Sequence, residues 1–88
     1  MELGGNIVLE GFDDLDNTTL IVIKKVVGNY GRNISEKKPF KKLILTYKKP
    51  KIEVVLELEN KEIKEHAEHE NLFFSINEAL SNVIKKVK

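Results

Sequence analysis

The sequence predicts an α+β fold, β-α-β-β-β-α, with two helices packed on one face of a four-stranded, mainly antiparallel sheet. Three observations predict it. Leu20, Ile23, Val27, Tyr30 and Ile34 recur at spacings of 3, 4, 3 and 4, and so do Phe73, Ile76, Leu80, Val83 and Val87; this is the period of a helix with one apolar face. Between the two repeats, Ile52, Val54, Leu56 and Leu58 alternate with Glu53, Val55, Glu57 and Glu59, the period of two of a half-buried strand. Turn residues at Pro39, Lys48-Lys49-Pro50 and Asn60 punctuate the middle. Helices at either end of a strand-rich centre pack as two layers.

Each element has a local reason. Asn6 to Gly11 reads as a short first strand closed by glycine, and Phe12 to Asp16 as an acidic turn. Asn17 is the predicted N-cap of the first helix, since its side chain can accept an unpaired backbone N–H. Ser35 to Lys42 is predicted as a connector, because Pro39 cannot continue the helical ladder. Leu43 to Tyr47 and Ile52 to Glu59 follow as strands, and Lys61 to Glu68 as a polar edge strand with Ile63 and Ala67 inward. Asn71 is the predicted cap of the last helix, and Lys85, Lys86 and Lys88 in its final turn complement the helix dipole.

The bulk numbers bound the class of protein. At 88 residues the chain suits one domain, residues 1–88. It holds no cysteine, so disulfides and thiolate metal sites are excluded. No apolar run approaches the ~20 residues of a membrane span, and no signal-peptide pattern opens the chain. The expected setting is the cytoplasm, without a membrane partner.

Charge is sorted along the chain. Residues 1–23 carry five acids and no base, whereas residues 24–51 carry ten bases against Glu36 alone. Residues 52–84 return to eight acids and two bases. A near-neutral total of +1 therefore hides a basic block of the kind that meets a polyanion. The candidate RNA-binding residues are Lys25, Arg32, Lys37, Lys38, Lys41, Lys42, Lys48, Lys49, Lys85 and Lys88. Phe12, Phe40 and Tyr47 are isolated aromatics that read as core or loop anchors rather than as a stacking platform.

Chemistry for catalysis is not apparent. No nucleophile stands beside a base, and the two histidines, His66 and His69, are three apart in a predicted strand. Residues so spaced face opposite sides and share no metal ion. The expectation is a non-enzymatic protein with no catalytic residues, no metal and no cofactor.

Two resemblances bear on function. Val26-Val27-Gly28-Asn29-Tyr30-Gly31-Arg32-Asn33-Ile34 resembles the G-x-x-G loop of K-homology RNA-binding domains, where paired glycines let the backbone approach sugar and phosphate. The same glycines can instead mark a helix packed closely on a strand. Asn71-Leu72-Phe73-Phe74-Ser75-Ile76-Asn77 resembles the Asp-x-Tyr-Ala-Ala-Ile-Asp segment that opens the last helix of the ribosome hibernation factors. Asn6 to Gly11 is similar to that family's first strand, and Asn17, Leu20 and Ile23 fall where it has a threonine, a leucine and a tyrosine. The resemblance implies a fold like a double-stranded-RNA-binding domain with an added strand. It also implies a role on the small ribosomal subunit, silencing translation, with Lys85 and Lys88 at basic family positions. Ile21 stands where the family often carries arginine.

Three functional expectations result. The first is an RNA- or ribosome-binding module acting through the lysines. The second is a protein-interaction or self-assembly module, a homodimer included, that uses an acidic edge at Glu57, Glu59, Glu62, Glu65, Glu68 and Glu70. The third is a K-homology-like RNA binder using Gly28-Asn29-Tyr30-Gly31.

Overall fold

The computed structural model describes residues 2–3 and 6–87. A two-residue strand, β1 (Glu2–Leu3), lies antiparallel to β2 (Ile7–Glu10), with Leu3 opposite Ile7. This short pairing adds an edge to the four strands that the sequence predicts. Ile7 and Leu9 are buried, Val8 and Glu10 less so, as alternation requires. The chain then reverses at Gly11, whose φ is 80°. Only glycine suits this position, because a Cβ would drive into the backbone carbonyl of Tyr47 as well as strain the backbone. Phe12 follows, fully buried, with its ring 5.5 Å from that of Tyr47.

Helix α1 runs from Asn17 to Lys37. Its cap is Asp16, one residue before the predicted Asn17: the Asp16 backbone is extended, and its Oδ1 accepts the Thr19 N–H at 2.8 Å. Ile23, Val27, Gly31 and Ile34 are the buried stripe. Gly28-Asn29-Tyr30-Gly31 lies inside this unbroken helix, which removes the K-homology reading, since no loop exists there to clasp a backbone. Gly31 has a packing reason: a Cβ on it would come within 2.7 Å of Ile7 Cδ1, so α1 sits close upon β2. The helix also outlasts the predicted boundary at Ile34, and ends with the Lys38 N–H bonded to the Ile34 carbonyl before Pro39.

Strand β3 (Lys42–Lys48) is parallel to β2, the only arrangement in which α1 serves as crossover. Strands β4 (Lys51–Glu57) and β5 (Glu62–Glu68) add antiparallel pairings, giving the sheet order β1-β2-β3-β4-β5. The β3–β4 turn contains a cis Lys49–Pro50 bond. Helix α2 (Leu72–Lys86) begins as predicted at Asn71, whose Oδ1 accepts the Phe74 N–H at 3.1 Å. Ser75 is buried but satisfied: its Oγ accepts the His69 N–H at 3.0 Å and donates to the Asn71 carbonyl at 3.3 Å.

The register puts Leu43, Leu56 and Ile63 in one row and Tyr47, Ile52 and Ala67 in another, on the face covered by the helices. Ile76, Ala79, Leu80 and Val83 of α2 complete that core. The opposite sheet face has no covering layer among the described residues. Val8, Ile44 and Val55 form a half-buried apolar row across its centre.

Candidate nucleic-acid interface

Strand and helix directions decide where the basic residues go. Because α1 returns antiparallel to β2 and β3, its C-terminal Lys37 and Lys38 stand at the end of the sheet where β3 starts. Lys41 and Lys42 stand there too, with the Lys41 N–H donating to the Glu57 carbonyl at 2.7 Å. Helix α2 finishes at the same end, bringing Lys85 and Lys86, and the β4–β5 turn adds Lys61. Lys48 and Lys49 are at the opposite end, in the β3–β4 hairpin. Lys42 and Lys48 stand six positions apart along the strand, roughly 20 Å. The contiguous basic block of the sequence is thus divided between two ends of the molecule. Lys88 lies outside the described residues.

The two ends differ in charge as well as in position. At the hairpin, the Glu53 carboxylate lies 3.4 Å from both Lys48 and Lys51. Lys51 first and Lys48 second hold the Glu53 pKa below its ordinary value. Asp14 and Lys49 border a shared hollow with Gly11, Leu15 and Tyr47. Lys86 pairs with Glu65, which points toward the helical layer and is 15% exposed. By contrast, Lys25, Arg32, Lys37, Lys38, Lys41, Lys42 and Lys85 are exposed and form no salt bridge among the described residues. They belong to the helical layer and to the end where both helices finish.

The uncovered sheet face has the opposite balance. Lys42, Lys48, Lys51 and Lys64 share it with Glu10, Glu53, Glu57, Glu62 and Glu68. Positive charge is therefore concentrated on the helical side. On α1 it takes the form of Lys24, Lys25, Arg32 and Lys37 against a single acid, Glu36.

His66 projects from β5 on the uncovered face, while His69 lies past the strand end against the Phe74 ring, centroids 4.6 Å apart. His69 Nε2 is 3.0 Å from Glu78 Oε1 but misses hydrogen-bond geometry. No group of three or more metal-ligating side chains occurs among the described residues.

One aromatic escapes the sequence pattern. Phe12 is core, and Tyr47 and Phe40 pack against it or nearby, but Phe74 is 58% exposed on the first turn of α2. The signal was present: the 3, 4, 3, 4 repeat selects Phe73 and leaves Phe74 off the apolar stripe. Ile21 and Val22 on α1 are likewise 56% and 43% exposed. Tyr30 links the helices, its hydroxyl donating to Asn77 Oδ1 at 2.8 Å and lying 3.4 Å from Ser81 Oγ.

No protein-family model matches the sequence, and no curated protein matches it either. Structural comparison does find a match. The crystal structure of the Thermus thermophilus Protein Y N-terminal domain is similar over 100% of this chain and 97% of that one, with a TM-score of 0.69 and 14% sequence identity. At that identity the likeness establishes the fold. No helix among the described residues is long and apolar enough to cross a membrane.

Proposed function

We propose that this chain is a non-enzymatic module that docks on structured RNA, with the small ribosomal subunit as its target and silencing of translation as its effect. One observation carries the reading. Nine cations on the helices and at the end where both helices finish (Lys24, Lys25, Arg32, Lys37, Lys38, Lys41, Lys42, Lys61 and Lys85) lack a salt-bridge partner among the described residues, whereas Lys48 and Lys51 at the hairpin are both paired with Glu53. Unpaired lysines are free to displace the cations condensed on a polyanion, and that release drives phosphate binding. The fold shared with the Protein Y domain and the sequence resemblance to hibernation factors both support the ribosome as target.

In this mechanism Lys25, Arg32, Lys37, Lys38, Lys41, Lys42 and Lys85 meet phosphates and fix orientation, with little sequence preference. Lys48 and Lys49 act from the other end, where Glu53 and Asp14 weaken the field. The test is cosedimentation with ribosomal subunits at low and moderate salt. Comigration with the small subunit that disappears on raising salt, and disappears in the Lys37→Glu, Lys38→Glu, Lys41→Glu, Lys42→Glu variant, is the expected result. Undiminished binding by that variant would overturn the reading.

The uncovered sheet face, with its half-buried apolar row of Val8, Ile44 and Val55, favours a second reading, self-association. A dimer that dissolves as salt rises, seen by light scattering in protein without RNA affinity, would support it.

A further inference from the structure

Along the outer side of α2, Phe74, Glu78, Ser81 and Lys85 recur at helical spacing and form one stripe. Phe74, Asn77, Glu78 and Ser81 bound a shallow hollow on the helical layer. We infer that this hollow receives one unpaired guanine base of the bound RNA. The inference rests on the RNA-binding reading above and supplies a base-specific interaction that the lysines cannot.

The chemistry of each wall favours that ligand. Phe74 offers an open aromatic face, braced on one side by the His69 ring. Unstacked bases in RNA loops are captured on such rings. Glu78 is a carboxylate whose approach to His69 makes no hydrogen bond, so both oxygens retain acceptor capacity. A guanine Watson–Crick edge presents N1–H and the N2 amino group side by side, two donors matched to two carboxylate oxygens. Uracil presents a single N–H between two carbonyls, which a carboxylate repels. The Asn77 amide is already committed, its Nδ2 to the Phe73 carbonyl at 2.8 Å and its Oδ1 to Tyr30. These bonds hold Asn77 in place as one wall of the hollow. Lys85 lies eleven residues along the stripe from Phe74, roughly 16 Å, and would hold the flanking phosphate backbone.

A negative side chain inside a phosphate-binding surface otherwise only weakens binding, so a favourable role for Glu78 requires a ligand with paired donors. The experiment is a titration of the full chain with two hairpin RNAs that differ at one unpaired loop position, guanine or uracil. The expected result is roughly tenfold tighter binding of the guanine hairpin, within the range by which a two-point hydrogen-bond contact to a base edge discriminates against the wrong base. Phe74→Ala and Phe74→Leu should both weaken binding of the guanine hairpin by about tenfold, the loss of one stacked base, with the salt dependence unchanged. Glu78→Gln should erase the preference for guanine. Equal affinity for the two hairpins, or a Phe74→Leu variant that binds like the parent, would overturn the inference and leave the role of the lysines standing. Glu78→Gln tightening both hairpins alike would also overturn it. Failure to bind either RNA would overturn both this inference and the reading on which it rests.

Discussion

Gly11, Gly28 and Gly31 show how one residue type answers three different demands. Gly11 has the left-handed backbone and a carbonyl in the place of any side chain. Gly11→Ala is therefore expected to destabilise the fold by about 2 kcal/mol, at the middle of the range for such strain. Gly31 meets only the terminal methyl of Ile7, which can turn aside. Around Gly28 there is open space, so Gly28→Ala is expected to stabilise α1 by up to about 1 kcal/mol. Thermal unfolding of the Gly11 and Gly28 variants checks both signs. Ribosome binding by Gly28→Ala should be unchanged, which a K-homology loop would not allow.

At the scale of the element, caps and ends decide more than propensity does. Residue type pointed to Asn17 as the cap of α1, and backbone geometry selected Asp16, one residue earlier, instead. The Thr19 hydroxyl and the Thr19 N–H, in that order, hold the Asp16 pKa below its ordinary value of 3.8. A carboxylate with a depressed folded-state pKa contributes stability that is present above its unfolded pKa. That contribution disappears as pH falls through the folded pKa. Asp16→Asn keeps the cap acceptor but removes the titration. Its unfolding midpoint should thus change less between pH 5 and pH 2 than that of the parent, measured by circular dichroism. The free β5 edge is managed locally as well: Glu62, Lys64, His66 and Glu68 place charge or polarity at alternate positions, which discourages edge-to-edge pairing.

For the whole molecule, the distribution of charge between faces and ends is the property that matters. Lys48 and Lys49 belong to the same run of sequence as Lys41 and Lys42, yet stand a strand length away beside Glu53 and Asp14. Reversing Lys48 and Lys49 together should weaken subunit binding less than reversing Lys41 and Lys42. For every phosphate that a variant no longer neutralises, the slope of log affinity on log salt should also fall by about 1. Equal weakening by the two pairs would show that the field of the molecule acts as a whole. Greater weakening at the hairpin would move the interface to that end.

The sequence by itself determined the class of fold, the inward face of each helix and the alternation of β4. Periodicity reports how a side chain points relative to its own element, and burial follows directly from it. It also limited the chemistry, through the lack of cysteine and the spacing of two histidines. Only the tertiary structure decided which ends of the elements meet. The parallel pairing of β2 with β3 sends Lys37 and Lys42 to one end and Lys48 to the other, and nothing in a local pattern encodes that pairing. The same holds for Phe74: its position off the apolar stripe is legible, but a hollow shared with Glu78 and Ser81 exists only once α2 is wound and docked. Local spacing fixes orientation, whereas the meeting of distant residues depends on packing formed across the whole chain.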